Sequence, residues 1–191
     1  MNVLRMIPNV FLLVEGRTEE TYLSHLKKRN SNYSLHVERF DGNQPMKMVK
    51  RCIARFKEKG MSKRDGDLAF CVMDVDDNTI EDLEKAFDYA DAHNVKIIIS
   101  NPCFEVFFLF HYVNEAKTNS SREMKEEVSK YIKGYSETKD CWNLLSSKRD
   151  KALKRSHGFT GLHDIRENKI GSNIWLLFDT LEEMSKRNSE V

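Results

Sequence analysis

The stretch NVFLLVEGRTEETYL, at residues 9–23, places an acidic residue directly after a run of five apolar residues. The run at 10–14 is typical of a buried strand, and it ends at Glu15 and Gly16. The residues that follow have the apolar spacing of a helix, whose first turn carries Glu19. What this stretch does depends on whether other carboxylates of the chain lie close to Glu15.

Strand and helix patterns alternate over the first half of the chain. Strand patterns occur at 10–14, 33–40, 68–73 and 95–99, and helical patterns occur at 18–29, 46–59 and 80–93. Three of the strand patterns are nearly continuous apolar runs, which favours parallel strands covered on both faces. We therefore predict an α/β fold with a mostly parallel central sheet, flanked by helices and joined by right-handed crossovers.

The second half of the chain has helical patterns alone. These patterns lie at 121–133, 139–155 and 172–188, and the segment HGFTGLHD at 157–164 is typical of a loop. Ser172 is a candidate N-cap for the last helix. Pro45 suits the start of the predicted helix at 46–59, and Thr79 with Asp82 resembles a capping box at the start of the helix at 80–93. We expect one compact unit, an α/β core at 1–113 with a helical extension at 114–191 packed on it.

The composition is that of an ordinary globular protein. Hydrophobic residues make up 40% of the chain and charged residues 32%, and no apolar run approaches the length of a membrane span. The N-terminus lacks the pattern of a signal peptide. The four cysteines are widely spaced and form no CxxC pair, which argues against structural zinc. These features predict a cytoplasmic protein without a membrane partner.

Positive charge is concentrated in two segments, although the net charge is only +1. Residues 47–64 hold eight Lys or Arg and one Glu, and residues 148–155 hold five Lys or Arg and one Asp. Each segment is either a solvated helix face or a contact surface for a polyanion such as nucleic acid. The candidate nucleic-acid contacts are Lys47, Lys50, Arg51, Arg55, Lys148, Arg149, Lys151, Lys154 and Arg155.

A second strand also ends in carboxylates, because the segment FCVMDVDDNT at 70–79 passes from apolar residues to Asp74 and Asp76. Side chains alternate along an extended chain, so Asp74 and Asp76 are predicted on one face. The carboxyl ends of parallel strands meet at one edge of a sheet, where Glu15 and Glu19 would join them. Two such charges ~5 Å apart repel by about 3 kcal/mol at an effective dielectric constant of ~20. One or two bound Mg²⁺ or Mn²⁺ ions would relieve this repulsion.

These motifs resemble those of a known family. A strand that ends in Glu-Gly, followed by a strand that ends in Asp-x-Asp, resembles the TOPRIM domains of topoisomerases, primases and Old-family nucleases. More closely, VEGRTEETYL, VMDVDDNT and SNPCFEVFFLFHY resemble the RloB-like family of TOPRIM proteins, which occurs in prokaryotic defence cassettes. The three motifs span residues 14–112, and GSNIWLLFDTLEEM at 171–184 resembles the family more loosely.

The resemblance implies a TOPRIM-like, Rossmann-like core and Mg²⁺-dependent phosphodiester chemistry. It makes Glu15, Asp74 and Asp76 catalytic residues and metal ligands, and Glu19 a further ligand in an EGxxE motif. The alternative role for Glu19 is structural: an acidic residue in the first turn of a helix is favoured by the helix dipole. By looser analogy, Lys169 or Arg17 would stabilise the transition state. An ATPase is the protein partner that the resemblance implies.

Residues near this edge have supporting roles in the same interpretation. Gly16 is expected to allow a sharp turn after Glu15. Ser100 and Asn101 follow the fourth predicted strand at the same edge, and Asn101 and Glu105 are expected to orient a ligand or water. The aromatic residues of the segment 104–112 are explained by core packing, with base stacking as the alternative for one or two of them.

Three functions remain open on the sequence. The preferred one is a metal-dependent nuclease for DNA or RNA. The second is a non-catalytic TOPRIM-like module that binds nucleic acid or a partner ATPase. The third follows from MDVDDNT and KIIIS, which also resemble motifs of haloacid-dehalogenase phosphatases but leave Glu15 and Glu19 without a role.

Overall fold

A five-stranded sheet forms the centre of the protein, in a computed structural model that describes residues 7–27, 32–76 and 78–187. Its strands lie in the order β2-β1-β3-β4-β5. Strands β1 to β4 are parallel, and β5 is antiparallel to β4. Their bounds are β1 Asn9–Val14, β2 Ser34–Arg39, β3 Leu68–Asp74, β4 Val95–Asn101 and β5 Gly171–Ser172. The predicted α/β fold with a mostly parallel sheet is thereby confirmed, and the strand order is that of a Rossmann-like protein.

Helices cover both faces of the sheet. They are α1 Arg17–Ser24, α2 Pro45–Glu58, α3 Ile80–Ala92, α4 Glu105–Phe110, α5 Ser121–Tyr131, α6 Trp142–Leu145, α7 Arg149–Ser156, α8 Leu162–Arg166 and α9 Trp175–Arg187. Successive side chains of a strand point to opposite faces of the sheet, which explains why helices pack in one layer on each face. In β1, Val10 and Val14 pack with α1, α4, α5, α7 and α9, whereas Phe11 and Leu13 pack with α2, α3 and α8. Among the described residues, no helix is long and apolar enough to cross a membrane.

Some sequence predictions in the second half are wrong. The segment after residue 104 is not all helical, because Gly171 and Ser172 pair with Asn101 and Ser100 as strand β5. Ser172 therefore does not cap the last helix, which begins at Trp175. The predicted helix at 139–155 is broken into α6, a short 3-10 helix and α7, and the predicted loop at 157–164 includes the start of α8. Residues 28–29 and 188 of the predicted helices lie outside the described residues.

The side chain of Asn173 completes the outer edge of β4 beyond the two residues of β5. Its Oδ1 accepts from the N–H of Ile99 at 2.7 Å, and its Nδ2 donates to the carbonyl of Ile97 at 3.2 Å. All three residues are buried. The amide group thus takes the place of a further strand residue.

We expect Asn173→Ala to lower the free energy of unfolding by about 2–4 kcal/mol, because two buried backbone groups lose their partners. Urea denaturation measures this change. Asn143→Ala, at an exposed position of α6, is the control and is expected to change stability by less than about 0.5 kcal/mol. Equal stability of the two variants would contradict the role of the Asn173 amide.

Candidate active site

Glu15 and Asp74 meet at the carboxyl edge of the parallel sheet. Because β1 and β3 lie side by side, the N–H of Glu15 donates to the carbonyl of Val72 at 3.0 Å. In return, the Oε2 of Glu15 accepts from the N–H of Asp74 at 3.1 Å. The ends of two neighbouring strands therefore bring both residues to this edge, and the N–H of Asp74 holds the Glu15 carboxylate in place.

Asp76 reaches the same edge by a turn and not by strand alternation. Strand β3 ends at Asp74, and Asp76 has a φ of 38°, in the left-handed region. Its N–H donates to the carbonyl of Pro102 at 3.0 Å, and its Oδ1 accepts from the hydroxyl of Ser121, the first residue of α5. The expected extended conformation is therefore wrong at Asp76, although Asp74 and Asp76 line the same cavity.

Gly16 makes room for the Glu19 carboxylate. The chain bends at Glu15 and Gly16 as expected, but the φ of −113° and ψ of 172° at Gly16 are open to other residues, so the bend does not require glycine. A Cβ atom at Gly16 would instead lie 2.5 Å from the Oε2 of Glu19. Glu19 is 2% exposed and folds back towards the start of α1, where the backbone of Gly16 and Glu19 favours its charged form and so acts to lower its pKa.

Glu105 brings a fifth carboxylate to the site from the start of α4. Its side chain is buried, and its Oε1 accepts from the hydroxyl of Thr18 at 3.2 Å and from that of Tyr135. Thr18 in turn contacts the carbonyl of Glu137 at 3.4 Å. Glu105 is thereby fixed between α1 and the segment that follows α5.

These carboxylates line one cavity of about 170 Å³ together with a lysine. Lys125 projects from α5, and its Nζ is 2.6 Å from the Oε1 of Glu137. The helical extension therefore supplies one wall of the cavity, and the sheet edge supplies the other. The lining residues are Glu15, Gly16, Arg17, Thr18, Glu19, Asp74, Asp76, Glu105, Lys125 and Glu137.

Burial and mutual repulsion disfavour the charged forms of the acids. Burial raises the pKa of Glu19 to about 8, and the charges of Glu105 and Glu15 act in the same direction. Burial also raises the pKa of Asp74 well above its ordinary value, with contributions from Glu19, Glu105, Asp76 and Glu15. The pKa of Glu15 rises for the same main reason, despite its hydrogen bond from Asp74. Without further positive charge, the site therefore retains protons at neutral pH.

Lys125 supplies positive charge beside these acids. Burial alone would lower its pKa, but the ion pair with Glu137 and the charge of Glu105 outweigh burial and raise it. Lys125 therefore stays protonated, which partly compensates for the carboxylates.

One oxygen of the cluster has no hydrogen-bond donor within the part of the chain that the structure describes. The Oδ1 of Asp74 is fully buried and accepts no hydrogen bond from any described residue. A buried acceptor without a donor is costly, and hard cations such as Mg²⁺ prefer this type of oxygen. As they stand, no three Asp, Glu, His or Cys side chains within 7–27, 32–76 and 78–187 are arranged to hold a metal ion. The donor set fits a hard cation, but Glu15 and Asp76 would have to exchange their present hydrogen bonds for it.

Three other predicted site residues lie outside the cavity lining. The ammonium group of Lys169 pairs with Asp164 at 2.7 Å and Glu167 at 2.8 Å. Asn101 donates to the carbonyl of Lys169 at 2.6 Å, and Ser100 donates to the hydroxyl of Ser172 at 3.0 Å. Ser100 and Asn101 therefore fasten the segment around β5, and the roles predicted for all three stay predictions.

The first basic segment lies mainly on the exposed face of α2. Lys47, Lys50 and Arg51 are exposed, and the ammonium group of Lys50 lies 5.5 Å from the ring centroid of Tyr89. Arg55 instead makes two contacts with Glu38, at 2.8 and 3.0 Å. Its guanidinium group is thus already engaged by a carboxylate of β2.

The second basic segment also contains both exposed cations and cations that are engaged by other residues. Lys148, Lys151 and Lys154 are exposed. Arg149 lies against the rings of Trp142 and Phe178, and Arg155 donates to the carbonyl of Phe110. The two arginines therefore bind the helices together, which leaves the lysines as the freely accessible charges of this segment.

Sequence reasoning missed Thr18, Lys125, Tyr135 and Glu137. Thr18 lies within the motif that begins at Val14, but nothing in the pattern assigns a role to its hydroxyl. The other three belong to a stretch of mixed charge at 125–137, whose position depends on how α5 packs on α4. An amphipathic pattern predicts the buried face of such a helix but not the site that its polar face reaches.

The fold and the cavity define a class of protein: a Rossmann-like α/β protein with a carboxylate-rich cavity at the carboxyl edge of its parallel strands. A comparison with protein families matches residues 10–181 to the family described as RloB-like protein. The chain therefore belongs to the RloB-like family, as its motifs predicted. Comparisons with curated proteins and with solved structures found no match.

Proposed function

We propose that the protein is a metal-dependent nuclease whose active site is the acidic cavity, in a TOPRIM-like arrangement. The observation that carries the proposal is that the carboxylates of Glu15, Glu19, Asp76 and Glu105 lie in one cavity with Asp74, whose Oδ1 accepts no hydrogen bond from any described residue. Such a cluster is costly in a metal-free protein, and neither the core nor an ion pair explains it. Sites of this composition are typical of two-metal phosphodiester chemistry.

The residues that would hold the cation are Glu15, Glu19, Asp74 and Asp76. When bound, Mg²⁺ or Mn²⁺ would act as a Lewis acid and would lower the pKa of a water molecule for attack on phosphorus. Glu19 would lose the proton that its raised pKa retains, so cation binding and proton release are linked. Asp76 would leave the hydroxyl of Ser121, and Glu105, fixed by Thr18 and Tyr135, would orient water from the opposite wall.

Among the described residues that line the cavity, Lys125 is the cation best placed to contact the scissile phosphate. Arg17 is exposed at the rim of the cavity. We expect Lys125→Ala to reduce the cleavage rate by roughly 100-fold, since a charge aimed at a developing oxyanion typically contributes that much. Lys125→Arg should recover part of the rate. Single-turnover cleavage kinetics measure both variants. Lys186→Ala, at an exposed site on α9, is the control, and a Lys125→Ala rate equal to that control would contradict the assignment.

The partner of the proposed active site is nucleic acid, bound in part by the exposed lysines and Arg51 of the two basic segments. These charges would give the affinity a strong dependence on salt concentration. We further propose that the protein acts in antiviral defence with an ATPase partner and in the cytoplasm, on the resemblance of its motifs to proteins of defence cassettes.

Incubation of the protein with end-labelled single- and double-stranded RNA and DNA tests the proposal. We expect cleavage in Mg²⁺ or Mn²⁺, none in EDTA, and none with Asp74→Ala. Undiminished cleavage by Asp74→Ala would contradict the site. Cation binding without cleavage, also in the presence of the proposed partner ATPase, would instead indicate a non-catalytic binding module.

A further inference from the structure

A second cavity, of about 660 Å³, lies between the end of α4, the segment 113–118 that follows it, and the second half of α5. Leu109 and Val113 give it an apolar wall, and Asn114, Lys117 and Thr118 give it a polar rim. A volume of this size accommodates a small organic ligand. None of these residues belongs to the acidic cavity.

The aromatic residue of this cavity is Tyr131, the last residue of α5. Its ring stacks on that of Tyr112, with centroids 4.9 Å apart and an angle of 19° between the planes, yet Tyr131 remains 45% exposed. The ammonium group of Lys148 lies 4.3 Å from the Tyr112 centroid. A rigid, exposed aromatic ring with cations beside it is the arrangement by which proteins stack unpaired bases and hold their phosphates.

We infer that this cavity binds an unpaired nucleobase stacked on Tyr131, so that the substrate is single-stranded nucleic acid or an unpaired loop. The inference rests on the proposed action on nucleic acid and specifies its substrate class. Leu109 and Val113 would contact the base, and Asn114 and Thr118 would bind its polar edge. Glu115 and Glu127 in the same wall are acceptors for base N–H groups. Lys117 and Lys148 would contact the adjoining phosphates.

The position of this cavity suits a strand that also enters the acidic cavity. Lys125 and Tyr131 belong to the same helix, six residues apart, which is about 9 Å along its axis. On α4, Glu105 lines the acidic cavity, and Leu109, one helical turn later, lines the second cavity. We therefore expect a few nucleotides of an extended strand to connect the two cavities.

Fluorescence anisotropy in EDTA tests the inference, since binding is then measured without cleavage. The probes are a fluorescein-labelled single strand, its duplex, and the same strand with abasic positions. We expect Tyr131→Ala to raise the Kd for the single strand about tenfold and Tyr131→Phe to leave it within about twofold. Duplex binding and binding of the abasic strand should not change. Leu144→Ala, which removes an exposed apolar side chain on α6, is the control.

Tyr131→Leu keeps an apolar side chain against Tyr112 without a planar ring, and it should weaken binding as Tyr131→Ala does. It serves as the measured variant if Tyr131→Ala does not fold, as judged by circular dichroism. Unchanged single-strand binding by the folded variant, or an equal loss for the abasic strand, would overturn the inference. If cleavage does not depend on Tyr131, the inference is overturned but the proposed nuclease activity stands. If binding depends on the Tyr131 ring but no cleavage occurs, the inference stands and the proposed nuclease activity is overturned.

Discussion

Asp74→Asn is expected to raise the thermal stability of the metal-free protein and to abolish its stabilisation by divalent cations. The amide carries no charge, so it removes the repulsion by which four neighbouring carboxylates raise the pKa of this buried acid. Its NH₂ group would also donate to Glu19 or Glu105. The same change removes the negative charge of the group that we assign to the cation, and it replaces one of the two carboxylate oxygens by an NH₂ group that cannot bind a cation.

Thermal unfolding in EDTA and in Mg²⁺ measures both effects. At a concentration of about 100 times its Kd, a cation stabilises the wild-type protein by about 2.7 kcal/mol, and the variant should show none of this shift. The cleavage rate should fall by about 100-fold or more, because even groups that only orient metal ligands contribute 10- to 100-fold.

Asp164→Asn is the matched control for the stability effect. Asp164 is also buried, but hydrogen bonds from Lys169 and Thr160 outweigh its burial and lower its pKa to about 2. Neutralising it should therefore destabilise the protein and leave the response to Mg²⁺ intact. If Asp74→Asn lowered stability as Asp164→Asn does, or kept the Mg²⁺ shift, the account of Asp74 would be wrong.

Glu19→Gln is expected to flatten the dependence of stability on pH in the absence of metal. The pKa of Glu19 is about 8 in the folded protein against 4.5 ordinarily, so the folded state binds more protons than the unfolded state between these values. Stability therefore falls as the pH rises through this range, and the loss is complete above the folded pKa. The full change amounts to a few kcal/mol, since each pKa unit corresponds to about 1.4 kcal/mol.

The upper part of the range, from about pH 6.5 to 8.5, avoids the opposite slope that His111 has below it. Asp74, whose pKa is also raised, contributes a slope of the same sign as Glu19, so the comparison of wild-type protein with Glu19→Gln carries the test. Burial lowers the pKa of His111 to about 4 from an ordinary 6.5, so stability rises with pH between those values. Urea denaturation at several pH values gives the slopes. Glu20→Gln, at the neighbouring and 40% exposed side chain, is the control. Equal slopes for wild-type protein and Glu19→Gln would contradict the buried, protonated state of Glu19.

The sequence predicts the parts of this molecule that follow from strand periodicity. Continuous apolar runs predict parallel strands, and parallel strands bring Glu15 and Asp74 to one edge whatever the helices do. Strand β5 was missed because a two-residue strand has no period to detect. Asp76 was assigned to an extended chain because a left-handed turn at a non-glycine residue leaves no clear trace in the sequence.

The opposite wall of the cavity could not be predicted, because it depends on contacts between distant residues. Glu105 follows a strand and was expected near the edge, whereas Lys125 and Glu137 reach it only because α5 packs on α4. The sequence distance from Glu15 to Lys125 is 110 residues, and no local pattern encodes such a pairing. For the same reason Lys169, chosen by analogy along the chain, lies beside Asp164 and Glu167.

Anomalous diffraction from crystals soaked in Mn²⁺ tests the central claim most directly, because it locates the cation independently of activity. We expect one or two Mn²⁺ peaks in the acidic cavity, bonded to Asp74 and Glu15, with Asp76 turned away from Ser121. The same crystals of Asp74→Asn should show no peak there. An empty cavity, or a Mn²⁺ peak elsewhere, in a protein preparation that cleaves nucleic acid in Mn²⁺ would contradict the central claim.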